Sequence, residues 1–150
     1  MVLYKDVQKK QSLPSWEELD QYFDADNIDE KDRTLKEVRK TISERIHYVT
    51  TIIEHIIMPE PGSYTEMYEC RILDESDKEK LLHTFKQLMV LDRKLLISSL
   101  QSTEENDAKL VKEALHSYKE HLPIIIQYLE KVQKSWSEVS NIEEVLGYLG

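Results

Sequence analysis

The sequence predicts an all-α chain: an antiparallel helical bundle of three long helices, with short N- and C-terminal helices making it four-helix-bundle-like. Three observations carry that expectation. Leu35, Val38, Ile42, Ile46, Val49, Ile53 and Ile56 recur at alternating steps of three and four, the seam of a bundle helix. Three Gly and four Pro in 150 residues are too few for the tight turns of an all-β chain. Pairs such as Ser15 with Glu18 and Ser63 with Glu66 have capping-box spacing, in which each side chain satisfies an orphaned backbone N–H.

Residues 1–12 carry Lys5, Lys9 and Lys10 without periodicity, and read as a loose arm over 1–14 or a short docked turn. Residues 15–150 read as one helical-bundle domain. Its first helix starts at the Ser15 cap, gathers Trp16, Leu19, Tyr22 and Phe23 on one face, and ends near Asp24. With Asn27 as N-cap, the seam predicts a long helix over 28–58, stopped by Pro59, Pro61 and Gly62. The irregular connection at 59–73 has room for a single capped turn through Tyr64, Met67 and Tyr68.

Residues 76–101 form the next long helix, opened by Ser76 with Glu79 or Asp74 with Asp77. Leu81, Phe85, Leu88, Leu95 and Leu96 make its stripe, widened by Leu82, Met89, Leu91 and Leu100, with Val90 and Ile97 near the back. A helix apolar nearly all round is expected in the middle of a bundle. Ser102 with Glu105 caps the third long helix, over 104–137, whose face runs from Val111 through Tyr118 and Ile125 to Trp136. Pro123 inside it predicts a kink or local break. Asn141 with Glu144 opens a short last helix bearing Val145, Leu146, Tyr148 and Leu149.

Twenty Lys and Arg against twenty-nine Asp and Glu leave a net charge of −9, which repels nucleic acid and anionic lipid on average. The basic stretch Lys31, Arg33, Lys36, Arg39 and Lys40 has acids interleaved and no aromatic platforms, and reads as a solvated face. Nucleic-acid and membrane partners are therefore not expected. The lone Cys70 fits a reducing compartment, and no signal-like or membrane-spanning run is present, so a cytoplasmic location is expected.

Metal and cofactor chemistry finds little footing. From Asp24 the acidic run places Ile28, Asp29 and Leu35 where a calcium loop needs an oxygen ligand, Gly and Glu. Glu44/His47 and Glu113/His116 have di-iron spacing, but point away from their apolar seams. No metal, cofactor or catalytic set is assigned.

Two constellations remain. Asp92 lies within an apolar stripe and Arg45 within the apolar sector of its own helix, which predicts a buried ion pair between them. His55 and His121 could approach Glu69, Cys70 and Arg71, giving a candidate functional cluster near the irregular connection. By elimination the leading functional expectation is a protein–protein interaction or assembly module, with a protein partner or self-association. The alternative is a small-molecule-binding or catalytic bundle with a pocket near Pro123 and His55/Cys70.

Overall fold

The computed structural model describes residues 1–139, and the short helix expected from Asn141 onward lies outside them. The described residues form helices α1 (Tyr4–Val7), α2 (Trp16–Phe23), α3 (Leu35–Ile57), α4 (Tyr64–Ile72), α5 (Glu75–Leu100) and α6 (Glu104–Glu138), with no strand. The chain is all-α. Its contacts gather it into two compact units, Met1–Tyr48 with Leu88–Glu120, and Val49–Gln87 with His121–Gly150. Where one domain is expected over 15–150, the boundaries between units fall inside α3, at the 87/88 step of α5, and inside α6.

In the first unit, α2 begins where Ser15 Oγ accepts from Glu18 N–H and ends at Asp24, whose left-handed φ of 55° closes the helix. Two 3₁₀ turns, Ala25–Asn27 and Glu30–Asp32, follow. They delay α3 to Leu35, seven residues later than its seam suggests, because Thr34 and not Asn27 caps it: Thr34 Oγ1 accepts from Glu37 N–H. The core here holds Leu19, Phe23, Val38, Ile42, Ile46, Leu88, Leu91, Leu95, Val111 and Ala114. Tyr118 completes it, packed against Phe23 at 5.1 Å between ring centroids and edge-on to Tyr22 at 6.4 Å. Each Val, Leu, Ile and Phe among them contributes roughly 1.5–3 kcal/mol before ordering entropy is subtracted.

The N-terminal residues are docked, not loose. Tyr4, Val7 and Leu13 are buried, Tyr4 stands edge-on to Trp16, and its hydroxyl donates to Pro14 O at 2.7 Å. Burial, with the Glu18 carboxylate nearby, pushes the Tyr4 phenol well above its usual pKa.

In the second unit the connection at 59–73 is mostly helix. Ser63 caps α4, which runs two turns instead of one and buries Tyr68. Tyr68 packs on Trp136 at 4.3 Å, and its hydroxyl shares a 2.6 Å hydrogen bond with Ser135 Oγ. Asp74 and Asp77 open α5 reciprocally, each carboxylate accepting from the other's backbone N–H. Ile53, Ile56, Leu73, Leu81, Ile125, Tyr128 and Val132 form the core. α6 continues unbroken through the exposed Pro123, since the loss of one backbone donor is bridged by bonded turns on either side.

Candidate functional site

The pair expected between Asp92 and Arg45 does not form. Arg45 turns toward α2, donating to Tyr22 O and to the Asp24 carboxylate. Asp92 is buried as expected, but its partners are the adjacent Arg93 guanidinium at 2.5 Å and His47 at 3.7 Å. Each is satisfied by another partner: Arg45 by Asp24, and Asp92 by Arg93.

The buried ion pair of this unit is a different one. Arg39 and Asp107 keep only 6% and 4% of their side-chain surface, and meet at 3.0 Å. Asp107 Oδ1 also accepts from Ser98 Oγ and Oδ2 from Ser102 Oγ, while Arg39 donates to Ser98 O. Ser102 is thus spent on Asp107, and the cap of α6 passes to Thr103, whose Oγ1 accepts from Asn106 N–H. Arg39 therefore leaves the basic stretch. Arg33 leaves it too, stacked 4.5 Å over the Trp16 ring and paired with Asp26.

The residues of the candidate cluster around the connection have the following partners. His55 Nδ1 lies 3.2 Å from Glu66 Oε1, an ion pair when protonated, although Oε1 lacks an aligned hydrogen bond. Glu69 accepts from Trp136 Nε1, Cys70 is half-buried and Arg71 is exposed. His121 is buried, with Nδ1 3.2 Å from Thr84 Oγ1 and its ring 6.4 Å from that of His83. Of the two Glu-x-x-His motifs, His47 and His116 are largely exposed. Among the described residues no group of three or more His, Cys, Asp or Glu is placed to hold a metal.

What the first unit does present is an apolar surface on α5. Leu88, Leu91 and Leu95 face the core, yet Val90 (56%), Leu96 (49%), Ile97 (58%) and Leu100 (78%) remain exposed. α5 is not enclosed by neighbours here. The reason lies in where α2 packs: its contacts, through Tyr22 and Phe23 to Tyr118, through Tyr22 O to Arg45, and through Glu18 to Lys119, are with α3 and α6. Ser98–Asp107 and Lys94–Glu113 join the inner and lateral sides of α5 to α6, Arg39–Ser98 and His47–Asp92 join it to α3, and the opposite side is left to solvent.

Comparison with family models, curated proteins and solved structures finds no match.

The open side has its own pattern. Val90, Arg93, Ile97 and Leu100 follow steps of three, four and three along one line, with Leu96 beside them. Beside Ile97, a groove of about 290 Å³ runs along α5 and α6, its lining including Ile97, Ser98, Lys109, Leu110 and the ion pair of Lys94 with Glu113. Sequence reasoning registered these apolar residues but took them as a sign of centrality. The second stripe, opposite Leu88 and Leu95, stays exposed, so apolar residues all round this helix do not make it central.

Proposed function

We propose that this protein is a small interaction or assembly module, working in the cytoplasm with Cys70 reduced, that docks a protein partner on the outer face of α5 between residues 88 and 100. The observation that carries the reading is the exposure of Val90, Leu96, Ile97 and Leu100 within three turns of one helix. Scattered apolar side chains are ordinary on any surface; a contiguous stripe is what partner surfaces use. A net charge of −9 disfavours polynucleotide and anionic lipid as the occupant. No helix of the described residues is long and apolar enough to cross a membrane.

Site-specific photo-crosslinking tests this. A benzophenone side chain in place of Ile97 should capture a protein in the cell of origin, and the same group in place of exposed Lys40 on α3 should not. Equal capture from both positions, or none from 97, would remove the assignment.

A further inference from the structure

A second site, which does not depend on the α5 face, lies among the N-terminal elements of the first unit. Tyr4 N–H donates to Arg33 O at 2.7 Å, tying α1 to the end of the Glu30–Asp32 turn. Between these elements and the start of α2 lies a pocket of about 250 Å³. Leu3, the Tyr4 ring and the Trp16 indole are its apolar lining, and Gln8 and the Arg33 guanidinium stand beside them. Lys5 and Glu30 complete the lining with charges of opposite sign. We infer that this pocket binds one free amino acid with an aromatic side chain. Lys5 and Arg33 receive its carboxylate and Glu30 receives its ammonium.

The walls are fixed by bonds made within the chain. Trp16 Nε1 donates to Asp26 Oδ1 at 2.7 Å, and Arg33 donates to the same oxygen through Nη2 and to Ile28 O through Nε. The Tyr4 hydroxyl and Gln8 Nε2 both donate to Pro14 O. Tyr4 stands edge-on to Trp16 at 5.5 Å between ring centroids, and the Arg33 guanidinium lies 4.5 Å over the indole. Little ordering of these side chains is left for a ligand to induce. A cavity of about 150 Å³ holds a benzene ring. At about 250 Å³ the pocket takes a ring together with the two charged groups of an amino acid. The Tyr4 and Trp16 rings favour an aromatic side chain over an aliphatic one, through edge and offset contacts.

Charge selects the zwitterion. Arg33 is balanced by Asp26, while its Nη1 donors have no hydrogen-bond partner among the described residues. Lys5 and Glu30 are exposed, and neither is ion-paired among the described residues, with the other or with any third group. One ammonium and one carboxylate therefore remain to be met. An anion alone would satisfy Lys5 and face the Glu30 carboxylate as a like charge. A cation alone would do the reverse. An amino acid offers a carboxylate to the cationic donors and an ammonium to Glu30, and each contact is a charge-assisted hydrogen bond.

The probes are L-phenylalanine, phenylpropionate, which lacks the ammonium, and phenethylamine, which lacks the carboxylate. Each is titrated into the full chain and followed by NMR at the Trp16 indole N–H, assigned by its loss in Trp16→Phe. L-Phenylalanine should shift that signal with a Kd below about 1 mM, at least about tenfold tighter than either analogue. Lys5→Gln and Glu30→Gln should each weaken it by about threefold or more, with the melting temperature unchanged. Glu30→Gln should also narrow the gap between L-phenylalanine and phenylpropionate. No shift of the Trp16 signal with L-phenylalanine overturns the inference. So does equal binding of the three compounds, tighter binding of either analogue, or binding of L-phenylalanine that is unchanged in both glutamine variants.

Discussion

The inner and outer faces of α5 between Leu88 and Leu100 are built from the same kinds of residue and end differently. The inner face sets Leu88, Leu91 and Leu95 into the core and closes over a carboxylate–guanidinium pair, Asp107 with Arg39, in which both serine hydroxyls and a backbone carbonyl are used. The outer face sets Val90, Ile97 and Leu100 in line and has Arg93 at its centre, met from below by Asp92 alone among the described residues. One face is complete within the chain. The other leaves its apolar side chains exposed. A helix can therefore look buried all round in sequence while part of its apolar surface stays exposed.

The sharpest break of this comparison is at the inner pair. Asp107→Ala leaves Arg39 buried without its carboxylate, and should cost roughly 3–5 kcal/mol in urea unfolding. Replacing both partners, Arg39→Met with Asp107→Leu, should recover most of that, because no buried charge is then left unpaired. A loss below about 1 kcal/mol for Asp107→Ala would mean that water reaches the pair.

Next comes the aliphatic contrast. Leu95→Ala should cost about 2–5 kcal/mol through lost burial and the cavity left behind. Ile97→Ala, one turn face away, should stay within about 0.5 kcal/mol. Similar losses at both positions would show that the outer face is covered by the chain itself.

The smallest effect belongs to an exposed pair, against which the buried one can be judged. Hydrogen bonding to Lys131 holds the Asp77 carboxyl below its usual pKa, and hydrogen bonding to Asp77 raises the Lys131 ammonium. The Asp77 contribution is present above its ordinary pKa of about 4 and is lost as pH falls through the depressed folded value. The Lys131 contribution is present below about 10.4 and is lost as pH rises through the raised folded value. Melting temperature against pH should therefore lose a small shoulder at each end on Lys131→Met, and the difference should shrink in high salt. A salt-independent difference would contradict the exposed-pair assignment.

Much of the fold was legible because it is written locally. All seven seam residues of α3, from Leu35 to Ile56, are buried, and Ser15 and Ser63 cap their helices, though only the serine half of each expected capping box forms. The start of α3 was not, since Asn27 and Thr34 are both acceptable caps and the intervening 3₁₀ turns are held by tertiary contacts such as Tyr4 N–H to Arg33 O. The ion pairs were hardest. Arg39 sits among lysines in sequence, and the carboxylate that buries it is 68 residues away. Arg45 and Asp92 each have the right helical position to be partners, yet Asp24 and Arg93 reach them first. The outer face of α5 was visible as composition but not as exposure, because which side stays open depends on where α2 packs.

The measurement that bears most directly on the open face is native mass spectrometry of the untagged protein from its source, wild type beside Ile97→Asp. The account predicts a wild-type chain carrying a second, different protein, and a variant that is bare yet melts at the same temperature. Two bare chains, or a complex that survives the aspartate, would contradict it.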